Sequence, residues 1–268
     1  MEVREVARCI VLKNRESFTK DTGYITVPVR NIKEINVSLD FLQNGTTAPT
    51  LANVLSVINE LQAIVKGNVV HTIKAVDLYA LNVLLFGYRP IHVLPANDNE
   101  AGSLQGLVWP FNFPVLDKIQ VTYSGHNTVD TEKLTLSVDY GGRLGAPIFL
   151  RYIQDTSQTG AFKAYDISWG GMKLIALLLY ATSVPDTTSS DGAIDEVKVK
   201  VDDQEVYHNL WLAINDFKYI ESGSTIEGIL DNYKLIDFRD TPLPANNLKV
   251  ELKGSAAETF RAVGVYTL

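Results

Sequence analysis

The sequence predicts an all-β protein built from two tandem halves, each a β-sandwich or barrel. Three observations carry that prediction. First, a hairpin-like stretch occurs twice, as INELQAIVKGNVVHTIKAVDLYALNVLLF at 58–86 and IDEVKVKVDDQEVYHNLWLAINDF at 194–217. Ile58 aligns with Ile194, Glu60 with Glu196, Leu61 with Val197, Val65 with Val201 and Val70 with Val206, and the turn Lys66-Gly67 falls on Asp202-Asp203. Second, KIQVTYSG at 118–125 matches NLKVELKG at 247–254, so that Ile119, Val121, Tyr123 and Gly125 fall on Leu248, Val250, Leu252 and Gly254. Ile194 lies 136 residues after Ile58 and Leu248 lies 129 after Ile119. Two pairs in one order at nearly one separation indicate a duplicated, domain-sized unit. Third, helix signals are scarce and turn signals recur about every 8–12 residues, which is the pattern of sandwiches and barrels.

The elements follow in order. Residues 1–16 carry Val3, Val6, Ile10 and Val11 at mixed spacing and read as a strand, a short helix or an arm. Arg4, Arg8, Lys13, Arg15 and Lys20 are interleaved there with Glu2, Glu5, Glu16 and Asp21, so the segment is a mixed surface and not a basic tail. YITVPV at 24–29 alternates, and Pro28, which has no N–H to donate, places it at a sheet edge. INVSLDFL at 35–42 puts Ile35, Val37, Leu39 and Phe41 on one face, as a half-buried strand does. Asn44-Gly45 marks a turn, and Leu51, Val54, Leu55 and Ile58 recur at helical spacing.

After the first hairpin, Asp77 is placed to cap a helix over 78–86 that Gly87 ends. Residues 91–94 read as a short strand and 95–103 as a loop, and Pro110 and Pro114 exclude a helix from the aromatic 108–114. Strands at 118–123 and 133–140 close the first half. Gly141-Gly142, Gly145 and Pro147 mark the join, giving domains of 1–143, with an N-terminal arm of about 1–16, and 144–268. In the second half strands are expected at 148–153, 161–168, 172–181, 226–238 and 247–268, with loops at 185–193 and 222–224. Each half then has roughly eight strands.

Composition narrows the function. Of 268 residues, 46% are hydrophobic and 21% charged, which is ordinary for a folded domain. The net charge of −7, with no basic cluster, argues against a specific nucleic-acid partner, since phosphate neutralisation needs Lys and Arg gathered on one surface. Cys9 is the single cysteine, so no intrachain disulfide forms. Glu2 and Glu5 interrupt the place where a signal peptide's apolar run would lie, so none is expected. The longest apolar run, Met172–Ala181, contains Lys173, is too short to span a bilayer and reads as a strand buried on both faces.

No catalytic pattern emerges. His71, His92, His126 and His208 show no metal-ligand spacing. Ser168-Trp169-Gly170-Gly171 is not a nucleophile elbow, and no phosphate-binding glycine loop occurs. Asp186, Asp191, Asp195 and Glu196, and separately Asp98 and Glu100, are carboxylates of a kind that hold Ca²⁺, but without the EF-hand pattern a solvated loop is the simpler reading. Asp202-Asp203 is a hairpin turn. Trp109, Phe111 and Phe113 alternate with Pro110, Asn112 and Pro114, and so form either a sugar-stacking platform or, more commonly, a core or subunit interface. The expectation is a protein with no catalytic, cofactor or metal residues.

Two β halves of this size, each with a hairpin followed by a short helix (58–86 and 194–217) and doubled closing strands (118–140 and 247–266), resemble the double jelly-roll major capsid proteins of icosahedral, often membrane-containing, viruses of bacteria and archaea. The resemblance is one of architecture and covers most of the chain. It implies two tandem jelly rolls with short flanking helices and a homotrimer in which six jelly rolls make a pseudo-hexagonal capsomer. It implies as partners the neighbouring capsomers, minor capsid or penton proteins and, through residues 1–15, an internal virion membrane. It implies a location in the virion, with assembly in the host cytoplasm. Two readings from other classes compete: a carbohydrate-active tandem β-sandwich enzyme, with two close carboxylates in a cleft, and a receptor- or carbohydrate-binding spike.

Overall fold

A computed structural model describes residues 8–16, 22–124, 126–141, 144–157, 159–184, 192–214 and 229–268. Residues 1–7 of the expected arm, Gly125, Gly142, Asp186, Asp191, most of the 185–193 loop, the end of the second repeat at 215–217, the 222–224 loop and the start of the expected 226–238 strand lie outside them. The chain forms two compact units, Met1–Phe149 and Leu150–Leu268.

In the first unit one sheet contains β1 (Arg8–Glu16), β9 (Val129–Tyr140), β3 (Arg30–Gln43), β7 (Ala101–Val115) and β6 (Ile91–Val93), in that spatial order. The other contains β2 (Thr22–Thr26), β8 (Lys118–Tyr123), β4 (Ile58–Val65) and β5 (Asn68–Ile73). In the second unit the sheets are β10 (Phe149–Thr156, whose first residue is the last of the first unit), β18 (Thr259–Thr267), β12 (Lys173–Ala181), β15 (Tyr233–Asp237), and β11 (Lys163–Asp166), β17 (Leu248–Lys253), β13 (Glu196–Val201), β14 (Gln204–Leu210). The short β16 (Leu243–Pro244) adds to β12. Leaving aside β6 and β16, both units follow one plan: the first strand pairs with the eighth, the eighth with the third and the third with the sixth, while the second, seventh, fourth and fifth form the other sheet. Two four-stranded antiparallel layers connected this way are a jelly roll.

The alternation read in the sequence is the alternation of burial. Ile35, Val37, Leu39 and Phe41 of β3 are fully buried and the residues between them are not. β12 and β18 are instead buried almost continuously, as Met172–Ala181 suggested. β2 stands at the end of its sheet beside β8, but it stops at Thr26, so Pro28 lies beyond the strand and not inside one over 24–29 as expected. Arg8–Glu16 is a strand paired with β9, so this part of the N-terminal segment belongs to the sheet.

The duplicated hairpins agree residue for residue. Leu61↔Ile73, Ala63↔His71, Ile64↔Val69 and Val65↔Asn68 correspond to Val197↔Asn209, Val199↔Tyr207, Lys200↔Glu205 and Val201↔Gln204. Both carry a register shift at the same place, Ala63/Ile64 and Val199/Lys200, which leaves Val70 and Val206 as the bulged residues. Lys66 and Gly67, and Asp202 and Asp203, all have positive φ, as a two-residue type I′ turn demands.

The closing strands need a correction. Ala63 pairs with Ile119 and its counterpart Val199 with Val250, so Ile119 corresponds to Val250 and not to Leu248. A slip of two residues keeps every side chain on its own face, so the hydrophobic pattern cannot detect it.

Other departures are local. α1 (Leu51–Ser56) is capped by Thr50, whose hydroxyl accepts the Asn53 N–H at 3.3 Å. α2 (Ala75–Leu81) has Lys74, not Asp77, at its N-cap, because Lys74 still has extended backbone. Asp77 is buried in the first turn, where the free N–H groups of the helix favour an anion. The helix continues as a π turn over Asn82–Phe86, and Gly87 ends it in the left-handed conformation. The second repeat has only a three-residue 3₁₀ turn, Trp211–Ala213, among its described residues. The 95–103 loop is shortened by β7, which begins at Ala101. Pro110 fits inside β7 because it sits at a register shift against β3 and beyond the reach of β6, which covers only Ser103–Gln105.

Candidate functional site

The four histidines are dispersed. His71 is buried in the first unit, stacked on Phe111 at 4.6 Å between centroids and edge-on to Trp109 at 5.7 Å. Desolvation pushes its pKa down to about 3. His126 closes a turn, its Nδ1 2.9 Å from the Thr128 hydroxyl and accepting the Thr128 N–H at 3.2 Å. His92 lies in the short β6. His208 stands on β14 with Nε2 3.2 Å from Glu196 and Nδ1 3.4 Å from Glu205. Among the described residues no three His, Cys, Asp or Glu side chains gather into a metal-holding group.

The carboxylates singled out in the sequence order the backbone. Asp98 accepts the Gly45 N–H at 2.7 Å. Oε2 of Glu100 accepts the N–H groups of Ala96 and Asn97, which hold its carboxyl below the usual glutamate range. Glu196 is likewise depressed, first by Lys253 and then by His208. The backbone of Asp195 accepts the Trp211 N–H at 2.8 Å and donates to Lys253 at 2.7 Å. The Ser168 hydroxyl accepts the Leu248 N–H at 2.8 Å and fastens a loop to β17. Trp109 and Phe111 are fully buried and Phe113 is 8% exposed. These three rings are core, not a sugar platform, because the alternation of β7 turns them inward and Pro110 and Asn112 outward.

The feature with most chemical character is the outward face of the β11–β17–β13–β14 sheet. Val197, Val199, Leu248, Val250 and Leu252 point into the second unit's core, which leaves Glu196, Lys198, Lys200, Lys249, Glu251 and Lys253 on the other side. Lys253 pairs with Glu196 directly across the strands at 2.5 Å, Lys200 with Glu251 at 2.8 Å, Lys198 with Glu205 at 3.3 Å and Lys249 with Asp203 at 2.6 Å. Lys198 also lies 4.4 Å from the centre of the Phe162 ring, a cation–π contact. The alternating charges of EVKVKV and LKVELK were the sequence signal for this face.

The equivalent face of the first unit is chemically different. Its outward rows contain Tyr24–Gln120–Gln62–Thr72 and Thr122–Glu60, with Lys118 and Val69 on either side of the buried Ile64. Tyr24 is 64% and Val69 51% exposed. One geometry thus carries a self-neutralised ionic surface in one unit and a largely uncharged amide, hydroxyl and apolar surface in the other. In general, opposed charges reject wrong partners and uncharged faces are cheap to desolvate.

Two jelly rolls of identical strand order in one chain define a double jelly-roll protein. No protein-family model matches the sequence, and no curated protein does. Solved structures share the fold at low identity. The STIV major capsid protein, from Sulfolobus Turreted Icosahedral Virus, superposes with a TM-score of 0.74 at 14% identity, over 98% of this chain and 97% of that one. The major capsid protein P2 of bacteriophage PM2 gives 0.64 at 14% identity, over 97% of each chain. The PBCV-1 virus capsid gives 0.64 at 10% identity, over 99% of this chain and 94% of that one.

Proposed function

We propose that this protein is a structural major capsid protein of a virus, forming pseudo-hexagonal homotrimeric capsomers that tile an icosahedral shell. The observation that supports this best is the tandem recurrence of one strand order over nearly the whole chain, shared end to end with viral major capsid proteins. Three chains with two sandwiches each present six similar blocks, which gives a tile a nearly sixfold outline from a threefold trimer. We take the two jelly rolls as the two domains and the Gly- and Pro-bearing 141–147 stretch as their linker.

In this reading the protein has no enzymatic role, and its partners are copies of itself, neighbouring capsomers and minor capsid or penton proteins. Because Arg8–Glu16 is taken up in the sheet as β1, the arm expected over 1–15 narrows to the segment ahead of β1, residues 1–7, which contacts an internal virion membrane or a neighbouring capsomer. The site of action is the virion, after assembly in the host cytoplasm. The test is mass in solution followed by negative-stain imaging. Trimers of hexagonal outline, or shells, are expected. A monomer that hydrolyses glycans would replace this reading with a carbohydrate-active one. Deletion of 1–7, which leaves β1 intact, should impair shell formation while the trimer survives; equally efficient shells from the truncated protein would remove the arm's role.

A further inference from the structure

We propose that His71 is an acid-sensitive latch confined to the first jelly roll, holding that unit closed while its imidazole is neutral and loosening it when the ring takes up a proton. The geometry is specific. His71 is 1% exposed and sits among four aromatic rings: Phe111 at 4.6 Å and Phe149 at 6.1 Å, both nearly parallel, and Trp109 at 5.7 Å and Phe113 at 5.6 Å, both edge-on. Neither ring nitrogen meets a hydrogen-bond partner, and the indole Nε1 of neighbouring Trp109 is also buried without one. Across the hairpin its pairing partner is Ala63. Among the described residues no carboxylate or ammonium group acts on the ring. The backbone of Ile148 is the one polar influence, and it falls short of hydrogen-bond geometry. An imidazolium in this box would have no counter-charge and only the poorly aligned Ile148 backbone to offset its desolvation, so protonation and opening are coupled.

The duplication supplies an internal control. The residue equivalent to His71 in the second hairpin is Tyr207, opposite Val199, and a phenol does not take up a proton in mild acid. Acid therefore acts on one jelly roll and spares its twin at this position. The buried imidazole remains neutral down to about pH 3, whereas in the unfolded chain it titrates near 6.5. The stabilising effect is complete above pH 6.5 and is lost as pH falls toward 3. Over that window the unfolding constant of the first unit rises about tenfold per pH unit, or about thirtyfold at pH 5.

The three tryptophans make this measurable in the intact chain, since Trp109 is in the first unit and Trp169 and Trp211 are in the second. Full-length protein labelled with 5-fluorotryptophan would be melted at several pH values by ¹⁹F NMR, with resonances assigned by Trp→Phe variants. The Trp109 transition should shift with acid more steeply in the wild type than in His71→Phe or His71→Leu, while the Trp169 and Trp211 transitions respond alike in all three. A ¹³C-histidine titration of the folded wild type needs no variant, and there His71 should stay neutral from pH 8 to 4. Equal pH dependence of the Trp109 transition in wild type and variants would overturn the proposal, as would a native His71 that titrates near 6.5.

Discussion

The side-chain amide of Asn82 pairs with both backbone groups of Val108, Nδ2 donating to its carbonyl at 2.6 Å and Oδ1 accepting its N–H at 2.8 Å. A fully buried amide at the start of the π turn thus acts as one more strand residue against β7, and the same Nδ2 also donates to the Leu78 carbonyl at 2.9 Å. Replacing Asn82 by Leu leaves a donor and an acceptor of a half-buried strand unmet. The expected cost is about 2–4 kcal/mol, read as a lower denaturation midpoint in the Trp109 signal. Asn82→Asp keeps the acceptor, loses the donor and should also destabilise.

Gly102 is required by Phe41. A Cβ at Gly102 would lie 2.4 Å from the fully buried Phe41 ring and 2.8 Å from Pro95. Gly102→Ala should destabilise the first unit by about 1–3 kcal/mol through overpacking. Adding Phe41→Leu should cost less in that background than in the wild type, and a double-mutant cycle measures the difference.

The two hairpin turns differ in how well their residues suit a left-handed backbone. Asp203 holds φ +61 where the first repeat has Gly67. Asp203→Gly should stabilise the second unit by about 0.5 kcal/mol, because glycine removes the Cβ penalty. The lost ion pair to Lys249 offsets this only slightly, since exposed pairs contribute little. Thermal unfolding at two salt concentrations checks both parts.

Glu34 lies directly across from Asp139 on β3 and β9, and its carboxyl is pushed above the usual glutamate range by burial and then by Asp139. A raised carboxyl favours the folded state while protonated, and that contribution is lost as pH rises through the raised value. Glu34→Gln should therefore raise the melting temperature at pH 7.5 and change it less at pH 4. An equal gain at both values would assign the effect to packing instead.

Several features of the fold were legible locally. The alternation of 35–42, the continuous apolar run of β12 and the two-residue turns all follow from backbone and side-chain geometry within one strand or hairpin. The offset of 136 residues between the hairpins also proved structural, down to the shared bulge. The charged face was legible in part, because lysine and glutamate alternating with valine must point away from a core. The Asp77 cap was misplaced because the end of β5, which fixes where the helix starts, depends on pairing with β4 and not on the helix's own residues.

By itself, then, the sequence determined the strand-rich class, the duplication and the inward face of most strands, since period-two alternation is a property of the chain alone. Only the tertiary structure decided which strands are neighbours, as with Arg8 opposite Tyr140. It also decided the register of the closing strands, which any even slip leaves unchanged in hydrophobic pattern, and whether a given ring is core or surface. His71, Asn82 and Glu34 show the reason. What each does depends on groups brought up from distant strands, and burial, desolvation and a facing charge exist only once those strands have packed.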